Sequence, residues 1–330
     1  MATYKEIKGT QIEVLASDPS NPVEGQVWYN STSNVLKGQA VTSAGVWATG
    51  GNLNFAREQN SGLSVGTKTA GLIFGGDNPV PGGTVKTEEY NGTNWTEAGN
   101  MNTSRRSGGG YGTQTSAMSG ASFAGNTGET NKTETYNGTN WTEIGNLNTA
   151  RAAGAGAGAN NSSGIFFGGN NGSSDVAINE SYNGSNWTEV ADLNTARNYV
   201  SGIGTATSAL AFGGANPSVT GVTEKWNGTS WTNVNSMNTA RTRGGGAGTD
   251  STSALAYGGT APGVSALTEL YNGTSWTETT DLNLARTSGG SSGIATAALY
   301  SGGQNPAGKL TSTEEFTGAG AGQTRTFTDS

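Results

Sequence analysis

The chain has 330 residues, 32% of them hydrophobic and 55 of them glycine, with a net charge of −7 and a pI near 4.7. It contains no cysteine and no histidine, which excludes disulfides, thiolate nucleophiles and the side chain most used for proton transfer near neutrality. The acidic balance disfavours a nucleic-acid partner, no apolar run reaches the roughly 18 residues of a membrane span, and neither a metal nor another cofactor is expected.

The first eight residues, from Met1 to Lys8, lack an apolar signal region, so Sec-type export is not expected. Residues 17–22, Ser-Asp-Pro-Ser-Asn-Pro, read as turn or extended linker, because each residue before a proline is pushed out of the α region. Residues 25–38 alternate around Ser31-Thr32-Ser33-Asn34 and read as a β-hairpin.

A strict repeat follows. Trp47, Trp95, Trp141, Trp187, Trp231 and Trp276 stand 44 to 48 residues apart, and ten residues after each comes an arginine: Arg57, Arg105, Arg151, Arg197, Arg241 and Arg286. A small pair comes next, at Gly75-Gly76, Ala124-Gly125, Gly168-Gly169, Gly213-Gly214, Gly258-Gly259 and Gly302-Gly303. An aromatic closes each unit, at Tyr90, Tyr136, Tyr182, Trp226, Tyr271 and Phe316, and a tryptophan follows it by five residues in every case but the last. Each period reads as four strands. The arginine opens a first strand of tiny residues, a second ends on the small pair, a third runs into the aromatic and a fourth starts at the tryptophan. Asn-Gly, as at Asn91-Gly92 and Asn183-Gly184, marks the hairpin between third and fourth.

Four strands per period of about 45 residues is the unit of a β-propeller. The last repeat lacks a fourth strand, and the segment around Trp47 lacks the three that should precede it. Pairing the strand around 45–50 with the last repeat, 286–318, completes a sixth unit and leaves no open edge. The fold class expected is therefore all-β: a six-bladed propeller over 41–330, closed by an N-terminal strand, with a hairpin segment over 1–40.

The repeated residues invite structural roles. One arginine per period can pair with Glu88, Glu134, Glu180, Glu224, Glu269 or Glu314, a pattern that suits six buried ion pairs better than one anion site. The aromatics and tryptophans, straddling a hairpin, read as packing anchors rather than sugar platforms. Asn-Gly-Thr/Ser matches the N-glycosylation acceptor, but turn chemistry already accounts for it. The glycine-rich first strands are not phosphate loops, and lone acids such as Asp77, Asp175 and Asp250 are few, so an enzyme is not expected. Sequence variation is greatest after the small pair. The candidate recognition residues lie there: Asp77, Asn78, Asn126, Asn170, Asn171, Asp175, Asn216, Gln304 and Asn305. They belong to the connections between second and third strands, all expected at one face, where a rigid scaffold usually places recognition.

The order of glycine pair, Glu-x-Tyr-Asn, Trp and Leu/Met-Asn-x-x-Arg, over roughly 45–318, resembles kelch repeats, with more glycine in the first strands and Asn where those often carry Asp. The stretch Asp18-Pro19 through Gly25-Gln26-Val27-Trp28-Tyr29-Asn30-Ser31-Thr32 to Leu36-Lys37 resembles segments near the start of tailed-phage fibre and virion proteins, particularly of marine phages. Those resemblances imply a non-enzymatic virion component, a tail fibre, spike or decoration protein. Residues 1–40 would attach to other virion proteins and the propeller would contact a host-surface glycan, with self-association a further option. A bacterial carbohydrate-binding module and a propeller glycoside hydrolase or lyase are the alternatives.

Overall fold

The computed structural model describes residues 12–19, 26–41, 45–58, 64–77, 82–318 and 322–327, in which every regular element is a β-strand. Two compact units emerge: Met1–Val46 with Gly318–Ser330, and Trp47–Thr317.

In the first unit, Val27–Asn30 and Val35–Val41 form an antiparallel hairpin, with Asn34 at φ 56° in its turn. Glu13–Leu15 adds in parallel on one side and Gly322–Phe327 antiparallel on the other. The C-terminal strand therefore belongs to this sheet and not to the repeat. Residues of the Asp-Pro…Trp-Tyr-Asn…Leu-Lys stretch converge on one carboxylate. Asp18 accepts from Trp28 Nε1 at 3.1 Å, Asn30 Nδ2 at 2.8 Å and Lys37 Nζ at 2.7 Å. Those bonds, Lys37's first, pull its carboxyl down to about 2. The motif is thus a structural knot that ties the linker to the hairpin, with Trp28 fully buried beside it.

The second unit repeats one four-stranded antiparallel sheet six times among the described residues. The first sheet is Ser64–Gly66, Gly71–Phe74, Thr87–Tyr90 and Trp95–Ala98. The second is Gly109–Thr113, Ser116–Gly120, Glu134–Tyr136 and Trp141–Glu143. The third is Ala155–Asn160, Ser163–Phe167, Asn179–Tyr182 and Trp187–Val190. The fourth is Ser201–Thr205, Ser208–Phe212, Thr223–Trp226 and Trp231–Val234. The fifth is Gly245–Asp250, Ser253–Tyr257, Thr268–Tyr271 and Trp276–Glu278. The sixth joins Gly290–Ile294, Ala297–Ser301 and Thr313–Thr317 to Val46–Gly50, a strand from far upstream. This is a propeller-like arrangement of repeated sheets.

Low apolar content suffices because the apolar layers are thin. Second strands such as Gly71–Phe74 are buried along their length and pack between neighbouring sheets. Phe74 meets Trp141 of the second sheet at 4.7 Å, and Phe167 and Phe212 likewise meet Trp231 and Trp276. The second sheet carries Gly120 at the Phe74 position, and Phe166 of the third sheet fills the space: a Cβ on Gly120 would lie 2.6 Å from its ring. The total aromatic volume is kept although the residue contributing it changes sheet, as close packing demands.

Three details depart from the sequence reading. The arginines do not open the first strands, which begin about four residues later. Two residues after Arg105, Arg151, Arg197, Arg241 and Arg286 stand Ser107, Ala153, Tyr199, Arg243 and Ser288, all with φ between 45 and 59°, and a left-handed residue cannot continue a strand. The small pair of the second sheet is Ala121-Ser122, not Ala124-Gly125. Ala121, at φ 49°, takes the place of Gly75, Gly168, Gly213, Gly258 and Gly302, at φ 61 to 67°. The Asn-Gly turns are four-residue loops in which only the glycine has positive φ. Asn91 instead accepts the N–H groups of Thr93 and Asn94 on Oδ1, at 3.0 and 2.8 Å.

The small-pair position yields an asymmetric expectation. Gly213→Ala forces an alanine to φ 67° with its Cβ 2.5 Å from the Arg241 carbonyl oxygen, and it should lose about 2 kcal/mol in denaturant unfolding. Ala121→Gly relieves the same strain but adds chain entropy, and should fall within about 1 kcal/mol of neutral. Equal losses at both positions would contradict the alignment.

Candidate recognition surface

The repeat residues are locked. Arg57–Glu88 (2.5 Å), Arg105–Glu134 (3.1 Å), Arg151–Glu180, Arg197–Glu224 (2.7 Å), Arg241–Glu269 and Arg286–Glu314 (2.8 Å) form six ion pairs, all essentially withdrawn from solvent. Each guanidinium also donates to main-chain carbonyls, as Arg57 does to Gly75 and Lys86. Burial lowers the pKa of Arg57, Arg105, Arg151 and Arg197, opposed by the facing carboxylate. The other carboxylate oxygen takes the N–H of an Asn in the connection that precedes the arginine, Asn54 for Glu88 and Asn148 for Glu180. Leu/Met-Asn-x-x-Arg is thus a staple that fixes the entry into each sheet. Trp47, Trp95, Trp141, Trp187, Trp231 and Trp276 are 5 to 7% exposed and pack 5.0 to 5.3 Å from the paired aromatic across the hairpin. Neither series offers a surface.

Burial also governs the pH response. Tyr300 is pushed up to about 12 by burial, and Tyr90 to about 12 by burial and its hydrogen bond to Glu315. The folded state holds these protons while the unfolded chain releases them near pH 10, so the stability they confer is whole below pH 10 and is lost as pH climbs toward 12. With no histidine, the unfolding midpoint should stay level from pH 6 to 9 and drop above 10. A marked slope between 6 and 8 would contradict this.

The connections between second and third strands lie at the same end of the sheets as those that lead into the first strands. Bridges Glu58–Asp77, Ala152–Asn170, Asn198–Ala215, Thr242–Thr260 and Thr287–Gln304 join them. Asp77 accepts the Gly83 N–H at 2.7 Å and lies 4.0 Å from Arg106 Nε; Asn78 lies outside the described residues. Asn126 is exposed. Asn170 and Asn198 both donate to Asp175 Oδ1 at 2.7 Å. Asn171 caps its own turn through Ser173 and Ser174, Asn216 donates to the Ala196 carbonyl at 2.5 Å, and Asn305 accepts from Ala307. Gln304 pairs through its backbone with Thr287. Most of these polar groups are therefore spent on holding their own loops or on tying them to the adjoining connections that lead into first strands. Of the lone acids, Asp250 caps the turn between first and second strands, at the other end of its sheet from the Asp175 type of connection. The three are not brought together.

No protein-family model and no curated protein matches the chain.

The residues that sequence reading missed are those beside the repeat arginines. Glu58 pairs with Lys309 at 3.3 Å, Arg106 stacks on Phe123 at 4.6 Å, and Arg243 stacks on Tyr199 at 3.9 Å. The signal was available: positions one and two past each arginine carry charged, aromatic and small residues where the flanking pattern is nearly fixed. At the opposite end of the sheets a cavity of about 90 Å³ is lined by Gly66, Gly112, Gly158, Gly204, Gly248 and Gly293 with their neighbours. It is well below the roughly 300–1,000 Å³ of small-molecule pockets.

Proposed function

We propose that the six sheets close into one six-bladed, kelch-like propeller and that the protein is a non-enzymatic adhesin, a virion component of the tail-fibre, spike or decoration type. Closure is favoured because Gly290–Ile294 contacts Ser64–Gly66, Ser292 Oγ donates to the Val65 carbonyl at 2.8 Å, and Trp95 Nε1 donates to Thr313 Oγ1 at 3.0 Å. The virion assignment rests on the resemblance of residues 18–37 to segments near the start of tailed-phage fibre and virion proteins.

Adhesion is carried by one observation. Every period spends its recurring arginine, glutamate and tryptophan on internal contacts, while chemical variety collects in the connections at one end of the sheets. That is how a rigid scaffold presents a recognition surface. Single contacts there would be weak, and many copies per particle would supply useful avidity.

Fluorescently labelled full-length protein should bind the surface of a bacterial host. Replacing 170–175, 216–218 and 304–307 with the short 261–263 type should abolish that binding without lowering the melting temperature appreciably. Unchanged binding by the folded variant would refute this surface. Purified virus particles encoding the chain should contain the polypeptide in many copies, and its absence would refute the virion assignment.

A further inference from the structure

The adhesion reading leaves the ligand unnamed, and the residues beside the repeat arginines narrow it. At the position two past each arginine the described residues are Ser107, Ala153, Tyr199, Arg243 and Ser288, all in the left-handed region. Their backbones form a belt: Ala153 N–H donates to Ser107 O at 2.6 Å, Tyr199 to Ala153 at 2.7 Å, Arg243 to Tyr199 at 3.3 Å and Ser288 to Arg243 at 2.9 Å. The hydroxyls of Thr242 and Thr287 add bonds to the Tyr199 and Arg243 carbonyls, at 3.5 and 3.3 Å. Strained residues persist where the surroundings over-determine them, and such strain collects at ligand sites.

Ser107, Ala153 and Ser288 are buried, so Tyr199 and Arg243 are the two partly exposed side chains of this described series, and they are adjacent. Arg243 also differs from every other arginine whose side chain is described. Arg57, Arg105, Arg106, Arg151, Arg197, Arg241 and Arg286 each have a carboxylate within 4.0 Å, and Arg243 has none among the described residues. Its guanidinium lies 3.9 Å from the centre of the Tyr199 ring. Stacking fixes the plane and leaves the edge donors free, so little conformational entropy remains to be lost when two parallel oxygens arrive.

We propose that Arg243 and Tyr199 form a subsite for a carboxylate-bearing sugar, the uronic-acid type of residue common in anionic bacterial polysaccharides. The carboxylate accepts two N–H bonds from the Arg243 fork, and the sugar face lies beside the Tyr199 ring. In a chain of net charge −7, a cation held in place with no carboxylate partner among the described residues favours the approach of an anionic glycan. The proposal rests on the adhesion reading and adds the ligand class to it.

The test titrates the full-length protein with oligogalacturonate, a neutral galactan oligomer of equal length and a sulfated galactan oligomer. A charge-assisted bidentate pair contributes roughly 1.5–3 kcal/mol, so the wild type should prefer oligogalacturonate over the neutral oligomer by about tenfold or more. Arg243→Gln should erase that preference, Arg243→Lys should recover only part of it, and Tyr199→Ala should weaken it. Circular dichroism melting should leave the Arg243 variants within a few degrees of wild type, because the belt is made by backbone groups. Equal affinity for acidic and neutral oligomers, or an unaffected Arg243→Gln variant, overturns the subsite. Equal affinity for the sulfated oligomer overturns the carboxylate assignment. If neutral oligomers bind and only the loop replacement abolishes binding, this site fails and the adhesion reading stands. If no oligomer and no cell surface is bound, both fail.

Discussion

Glu180→Ala should cost about 3–5 kcal/mol, the range for stranding a buried charge. The carboxylate is fully buried, and its two oxygens serve four donors: Arg151 NH1, Asn148 N–H at 2.6 Å, Asn148 Nδ2 at 2.8 Å and Thr149 N–H at 3.3 Å. Removing it leaves Arg151 with only main-chain acceptors, the Phe166 and Thr149 carbonyls at 2.9 and 3.2 Å. The neighbouring connection also loses the acceptor that fixes Asn148, whose amide reaches the Trp187 carbonyl at 3.4 Å. Arg151→Met alone should cost a similar amount, because it strands the carboxylate instead. The double variant Arg151→Met, Glu180→Ala should lose clearly less than the sum of the two single changes, since it no longer carries an uncompensated buried charge. Urea midpoints for the four proteins decide the matter. A loss below about 1 kcal/mol for Glu180→Ala would mean that water reaches the pair and that the staple is not what holds the connection.

The repeat makes these pairs legible in the sequence. A residue type that recurs once per period can satisfy one partner per period, and Arg–Glu is the pairing that lets six charges enter an interior. Asn-Gly was equally readable as a hairpin, although the geometry differs because the Asn side chain, not its φ, closes the loop. Other features were hidden for physical reasons. Ala124-Gly125 imitates the small pair in composition, while the true position is held by Ala121, whose left-handed φ no residue type announces. The strand Gly322–Phe327 has no repeat partner, and its pairing with Val35–Val41 is a contact between the two ends of the chain that local pattern cannot signal. The Tyr199–Arg243 stack was hidden by its neighbours. Positions that deviate from a repeat look like noise, yet two of them here, Tyr199 and Arg243, carry partly exposed side chains.

Trp47→Ala should cost about 3–5 kcal/mol, as much as the same change at Trp231. The chain segment around Trp47 is remote in sequence from the sheet it completes, so a merely incidental contact would cost far less. The environment argues for equivalence. Trp47 is 7% exposed and sits 5.1 Å from Phe316 across the hairpin position, as Trp231 sits 5.3 Å from Trp226. It meets Tyr257 of the fifth sheet edge-on at 5.0 Å, as Trp231 meets Phe167 of the third at 4.9 Å. Asn283 Nδ2 donates to the Trp47 carbonyl at 3.0 Å, the counterpart of the Asn194 bond to Trp231 at 3.1 Å. Deleting residues 45–50 altogether should do more than remove this packing. Thr313–Thr317 would become an unpaired edge beside two buried strands, a template for association with another copy, and light scattering should rise on mild heating. Deleting 1–44 together with 319–330 removes both ends that build the first sheet but spares Trp47. That variant should keep the midpoint of the second unit and stay monodisperse. The two deletions separate closure from simple loss of mass: if both variants unfold and associate alike, the N-terminal strand is not what completes the sixth sheet.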